Sequence, residues 1–106
     1  MKSLQADSGV KMNIIIVGVG KVGFAIAKGL AREKHDITVI DKAAEKLNDI
    51  SNTMDVITLC GNGASYDVLS EAGVGAADLL IAVTGADEIN LLCCLIAKKM
   101  GNCNTI

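Results

Sequence analysis

Residues 13–23 read Asn-Ile-Ile-Ile-Val-Gly-Val-Gly-Lys-Val-Gly, a run of branched apolar residues passing straight into glycines spaced GxGxxG. Ile14 to Val17 show no polar alternation, the pattern of a strand covered on both faces, as in a parallel sheet. The segment Gly18, Val19, Gly20, Lys21, Val22, Gly23 then opens a helix, and in a strand-turn-helix setting each glycine has a physical task. Gly18 permits the tight turn, Gly20 lets the main chain approach a pyrophosphate, and Gly23 lets the helix pack closely on the sheet. The helix N-terminus offers unpaired N–H groups to phosphate. A purely structural glycine turn competes with this reading, because 11 glycines in 106 residues produce near matches by chance. The place of the motif between strand and helix favours a nucleotide.

Working outward, three further apolar runs predict strands: Ile37 to Ile40, Val56 to Cys60 and Leu79 to Val83. Between them lie helical patterns. Lys21 to Lys34 places Val22, Ile26 and Leu30 at four-residue spacing, with Lys28, Arg32 and Lys34 suited to the opposite side and the C-terminal dipole. Lys42 to Ser51 packs by Ala43, Leu47 and Ile50; Ser65 to Ala72 packs by Val68, Leu69 and Ala72, with Gly73 as its cap. Asp87 to Met100 has acids in its first turn, Lys98 and Lys99 in its last, and Gly101 as its stop. This order, with connections of this length, predicts an α/β fold: a Rossmann-like doubly wound parallel sheet with helices on both faces. Apolar residues from Ile89 to Met100 wrap most of the last helix, more than one sheet face covers, so either a neighbouring element or a second subunit is expected against it. The sequence ends at Ile106 where a fifth strand would begin, which predicts a domain truncated there. Met12 directly precedes the first strand, and residues 1–11 read as an added leader.

Asp41 stands at the end of the second strand, 18 positions after Gly23, where the ribose of an adenine dinucleotide would lie. Its carboxylate can accept from both ribose hydroxyls and would repel a 2′-phosphate, favouring NAD(H) over NADP(H), although Lys42 beside it weakens that preference. Asp41 as a simple helix N-cap is the alternative. Gly61, Asn62 and Gly63 follow the third strand, where the Asn62 amide can read an adenine edge or merely make a turn. Thr84 and Gly85 follow the fourth strand, again at the carboxyl edge, with Thr84 either a ligand contact or a cap for the helix beyond. Catalytic groups are few. His35 reads as a solvated loop residue, Tyr66 lacks a lysine at the helical spacing of a reductase, and Cys60 has no charged activator near it in sequence.

Composition closes off other classes. Hydrophobic residues make up 51% and charged residues 21%, and with a mean hydropathy of +0.45 the chain has too much apolar surface to remain disordered. Its length suits one domain. The longest apolar stretch, Leu91 to Ala97, falls well short of the roughly 18 residues of a membrane span. A formal charge of −2, with Phe24 and Tyr66 the only aromatics, gives nucleic acid neither an electrostatic footprint nor stacking platforms. The cysteines Cys60, Cys93, Cys94 and Cys103 form no CxxC pair and read as free, reduced, buried thiols of a cytosolic protein, with no metal site.

Taken in order, the phosphate turn, the acidic end of DITVIDK, the GNGAS turn with its DVLSEAG sequel and the TGADEIN start of the last helix resemble the TrkA-like branch of the RCK (KTN) family, the N-terminal nucleotide-binding domain of Trk/Ktr-type potassium uptake regulators. The resemblance runs from Met12 to Ile106. It implies a cytoplasmic regulatory subunit on the inner face of the cell membrane, not an enzyme. Such a subunit would bind NAD or NADH, with ATP or ADP as alternatives, and assemble as a homo-oligomer beneath a membrane potassium transporter. By the family pattern, Gly18 to Val22 line the phosphates, Asp41 holds the ribose, Asn62 and Gly63 border the adenine, and Thr84 and Gly85 close the far side. Lys21 stands where relatives often carry an arginine that reaches phosphate in a neighbouring subunit; lysine keeps the charge without the guanidinium fork. The rival readings are the cofactor-binding half of an NAD-dependent dehydrogenase and a methyltransferase using S-adenosylmethionine.

Overall fold

Five parallel strands build one sheet: β1 (Asn13–Val17), β2 (Asp36–Asp41), β3 (Ile57–Cys60), β4 (Leu79–Ala82) and β5 (Asn104–Thr105), in spatial order β3-β2-β1-β4-β5. The structure is a computed structural model and describes residues 10–106. The expected leader, apart from its last two positions, lies outside the described residues. The crossovers are α1 (Lys21–Arg32), α2 (Ala44–Thr53), α3 (Tyr66–Glu71) followed by a 3-10 turn (Val74–Ala76), and α4 (Asp87–Met100). This is the doubly wound sheet that the strand-helix alternation predicts. The strand order reverses between β1 and β4, which pair in register from Ile14↔Leu79 to Val17↔Ala82.

The unbroken apolar runs have a direct cause. Alternate residues of each central strand enter two separate cores: Ile14, Ile16, Ile37 and Val39 meet Ala27 of α1 and Leu47 and Ile50 of α2. Ile15, Val17, Ile40 and Leu80 meet Leu69, Val74, Cys93 and Ala97 on the other face. On β1 and β2 polar residues are confined to the strand ends and to half-buried Thr38. At the edge of the sheet the rule lapses, and β3 is not covered on both faces as expected: Ile57, Thr58 and Cys60 are exposed. The fifth strand, expected to begin at about Ile106, starts two residues earlier, since Asn104 and Thr105 pair with Leu79 and Leu80.

Two expectations about single residues are corrected. His35 is not solvated: its Nδ1 accepts the Met12 N–H at 3.1 Å, and its side chain is buried where α1 hands over to β2. Its partner is the residue ahead of β1, outside any regular element. The cysteines also divide. Cys93 and Cys103 are buried, Cys94 is half-buried and Cys60 is exposed on the edge strand. Burial pushes the Cys93 thiol up to about 12, with Cys94 and Cys103 adding to the rise, and the Cys103 thiol is raised chiefly by burial too. Because the thiolate is the reactive form, brief alkylation of the native chain at pH 8 is expected to modify Cys60 first and to leave Cys93 and Cys103 intact until denaturant is added. Peptide mass spectrometry reads the order, and early modification of Cys93 would contradict the burial.

Candidate functional site

A cavity of about 490 Å³ opens at the carboxyl edge of the sheet, over the reversal between β1 and β4. Residues 17–20, 40–42, 61–63 and 83–86 line it, with Lys46 from α2 and Ile89 from α4. Open sheets of this order place ligands in this crevice.

The three glycines of the turn differ in their physical reasons. Gly18 has φ +105, and a Cβ there would sit 2.8 Å from the Val83 carbonyl oxygen and 2.9 Å from the Thr84 nitrogen. Its N–H donates to the Ile40 carbonyl at 2.8 Å, anchoring the turn on β2. A Cβ on Gly23 would overlap the Gly18 carbonyl oxygen, so α1 can lie against the turn only through a glycine. Gly20 is neither strained nor crowded: its φ of −77 and ψ of −165 are ordinary extended values, and an added Cβ meets no atom within 4 Å. Its missing side chain leaves open space in the cavity wall. Among the described residues no side chain caps α1, and none accepts a hydrogen bond from the N–H groups of Gly20, Lys21 and Val22. Such a cradle suits a phosphate group.

Asp41 closes the opposite wall. One carboxylate oxygen accepts the Val19 N–H at 2.8 Å and the other the Ala43 N–H at 2.8 Å. The helix-cap alternative is therefore replaced by a strap joining the glycine turn to the β2–α2 connection, while α2 itself starts without a side-chain cap. Each oxygen keeps a second lone pair for a ligand hydroxyl. Asn62 uses its Oδ1 to accept the Ala64 N–H at 2.9 Å, an Asx-type turn that leaves its Nδ2 as the donor end. Thr84 lines the cavity and makes no side-chain cap to α4, which begins without one. Its hydroxyl donates to Asn90 Oδ1 at 2.6 Å and accepts the Ala86 N–H at 3.2 Å.

Of the residues singled out in the sequence, Gly18, Val19, Gly20, Asp41, Lys42, Asn62, Gly63, Thr84 and Gly85 surround this one cavity. Lys21, Val22 and Gly23 do not line it: Lys21 and Val22 are exposed and Gly23 is buried. Sequence reasoning passed over Lys46, whose only signal was its place four residues after Lys42, and Asn90, which was visible solely as the last letter of the TGADEIN segment. The lining contains no thiol, imidazole or phenol. His35 lies at the other end of β2, and Tyr66 is exposed on α3. The arrangement offers amides, one carboxylate and two ammonium groups, which is equipment for holding a charged ligand.

The family model for the TrkA-N domain matches residues 14–106. The chain belongs to the TrkA-N domain family. Among curated relatives, the Trk system potassium uptake protein TrkA of Halomonas elongata is 46% identical over 89 residues, covering 84% of this chain and 20% of that protein. This TrkA-N chain spans about a fifth of the length of the curated relatives it matches. Among solved structures, the GsuK channel bound to NAD superposes with a TM-score of 0.78 at 18% identity, over 92% of this chain and 18% of that one. The Kef CTD of Shewanella denitrificans in AMP-bound form superposes with a TM-score of 0.72 at 24% identity, over 82% of this chain and 52% of that one. These two likenesses establish the Rossmann-like fold of the TrkA-N domain. Among the described residues no helix is long and apolar enough to cross a membrane.

Proposed function

We propose that this TrkA-N domain is the nucleotide receptor of a potassium uptake system, binding NAD or NADH, with ATP or ADP as alternatives, and performing no reaction of its own. The observation that carries the reading is the cavity. On one side free amides follow Gly18 without a cap, on the other a single carboxylate stands at the end of β2, and the Asn62 turn lies beside it. Gly18 to Val22 would hold the phosphates, Asp41 the adenosine ribose, and Asn62 with Gly63 the adenine. Lys42 and Lys46 add positive charge near the ribose, and Lys21, exposed outside the lining, is available to phosphate held by a neighbouring subunit. The relatives named as potassium uptake proteins, together with NAD and AMP in structural neighbours, support the ligand class and a membrane potassium transporter as partner of the full-length protein at the cytoplasmic face. A nucleotide would bias the transporter only as far as its affinities for two arrangements of the assembly differ.

Homo-oligomerisation belongs to the same reading. Leu91, Leu92 and Leu95 of α4 are 63%, 44% and 58% exposed, so no other described element provides the cover their sequence pattern calls for. The stripe begins at Glu88 and ends at Lys98 and Lys99, and an antiparallel second copy would set opposite charges together.

Thermal shift with NAD+, NADH, NADPH, ATP, ADP and S-adenosylmethionine tests the ligand assignment. A ligand present at 100 times its dissociation constant stabilises by about 2.7 kcal/mol, and NAD(H) is expected to give the largest shift. Asp41→Ala should reduce that shift. It should also lower the melting temperature of the ligand-free chain, because two amides lose their acceptor at a cost of about 2 kcal/mol. A largest shift with S-adenosylmethionine, or hydride transfer by the full-length protein, would overturn the assignment in favour of a rival.

A further inference from the structure

We infer that Asn90 is the positioning residue of the β4–α4 wall of the cavity, and that it sets the affinity for the part of a dinucleotide lying beyond the adenosine; the inference rests on the nucleotide reading above. The Val83 N–H still donates to the Val17 carbonyl, at 2.8 Å, so Thr84 is the first residue past the ladder between β4 and β1. Its own N–H and C=O would be left without strand partners. Asn90 supplies both: Oδ1 accepts the Thr84 N–H at 2.9 Å, and Nδ2 donates to the Thr84 carbonyl at 3.2 Å. A side-chain amide here does the work of a neighbouring strand. Turning the amide round would set N–H against N–H and carbonyl against carbonyl, so only one orientation satisfies the fork.

The same Oδ1 takes the Thr84 hydroxyl at 2.6 Å, and that hydroxyl also accepts the Ala86 N–H. Thr84, Gly85 and Ala86 are therefore fixed as a unit, with the Thr84 hydroxyl proton engaged inside the loop and one oxygen lone pair left over. This loop backs directly on the phosphate turn, since the Thr84 nitrogen lies where a Gly18 side chain would go. Across the cavity the Asp41 strap to Val19 and Ala43 is a separate device. Each half of the cavity thus has its own clamp, and loss of Asn90 should damage one half alone.

Calorimetric titration of the chain with NAD+ and with AMP separates the halves, because AMP needs only the Asp41 and Asn62 side and the first phosphate position. Asn90→Ala is expected to weaken NAD+ about tenfold and AMP less than about twofold. Asn90→Asp, which keeps the acceptor but sets a carboxylate oxygen against the Thr84 carbonyl, should show the same split if the alanine variant does not fold. Equal losses for the two ligands would mean a general structural role and would overturn the inference, as would unchanged NAD+ binding. A wild-type chain that takes up neither ligand defeats the nucleotide reading instead. The positioning claim is then decided by amide exchange. Faster exchange at Thr84 in the variant with Val19 unchanged supports it, and unchanged exchange at Thr84 refutes it.

Discussion

Replacing Gly20 by valine is expected to leave the ligand-free chain as stable as wild type and to abolish its stabilisation by NAD(H). Fold and binding separate at this position because the backbone there is ordinary. With φ −77 and ψ −165, a β-branched residue is at ease, and no atom lies within 4 Å of the added Cβ. Valine is a poorer residue than glycine just ahead of a helix, by about 1 kcal/mol, but restricting the unfolded chain returns about 0.4–1 kcal/mol. The two nearly cancel. The isopropyl group meets no protein at its Cβ and stands in the cavity wall that Gly20 lines, at the uncapped start of α1, which is the space a diphosphate would need. If the dissociation constant rises a hundredfold, ligand at 100 times the wild-type value stabilises the variant by only about 0.4 kcal/mol instead of about 2.7. For a domain of this size the difference is roughly 10–20 °C in melting temperature. A variant that melts normally and still shifts fully with NAD(H) would remove the glycine turn from the binding site.

What the sequence disclosed, and what it withheld, follows from the range of each interaction. The β1–turn–α1 unit was legible because its determinants are contiguous: branched residues, then glycines at spacings that a tight turn and a close helix both require. Asp41 was legible as an acid at the end of β2. Its strap to Val19 was not, because the two residues are 22 positions apart and meet only once β1 and β2 have paired. Thr84 shows the same limit at shorter range. A threonine before a helix reads as a cap, and nothing local says that an asparagine six positions later takes its hydroxyl and its peptide. His35 was misread because its partner, Met12, belongs to the lead-in of a different strand. The exposure of β3 escaped for a topological reason: an apolar run looks alike at the centre and at the edge of a sheet, and only strand order tells them apart. In each case the chemistry of the residue was right and its neighbour was missing.

Gly23 and Gly29, on the same helix, should respond to alanine with opposite signs. Both are helical positions where alanine is intrinsically favoured, by about 1 kcal/mol. Gly29 is exposed, and its added Cβ meets nothing within 4 Å, so Gly29→Ala should gain most of that propensity and raise the urea midpoint. At Gly23 the added Cβ overlaps the Gly18 carbonyl oxygen, and the Gly18 carbonyl carbon is 3.0 Å away. Neither side can yield cheaply. The turn is held by Gly18 to Ile40 and by Val19 to Asp41, and α1 is held by Ala27, buried against the sheet. Relief requires lifting the start of α1 from the sheet or breaking the turn, a cost of about 4 kcal/mol once propensity is subtracted. Against a total stability of about 5–15 kcal/mol, Gly23→Ala should lose a large part of the urea midpoint or fail to fold at 37 °C, and with it any response to nucleotide. Two alanines differing only in what stands opposite them give a direct measure of how tightly the phosphate turn is pressed between β1, β4 and its own helix. Equal midpoints for the two would show that the turn yields, and the close seat of α1 would lose its role in shaping the cradle.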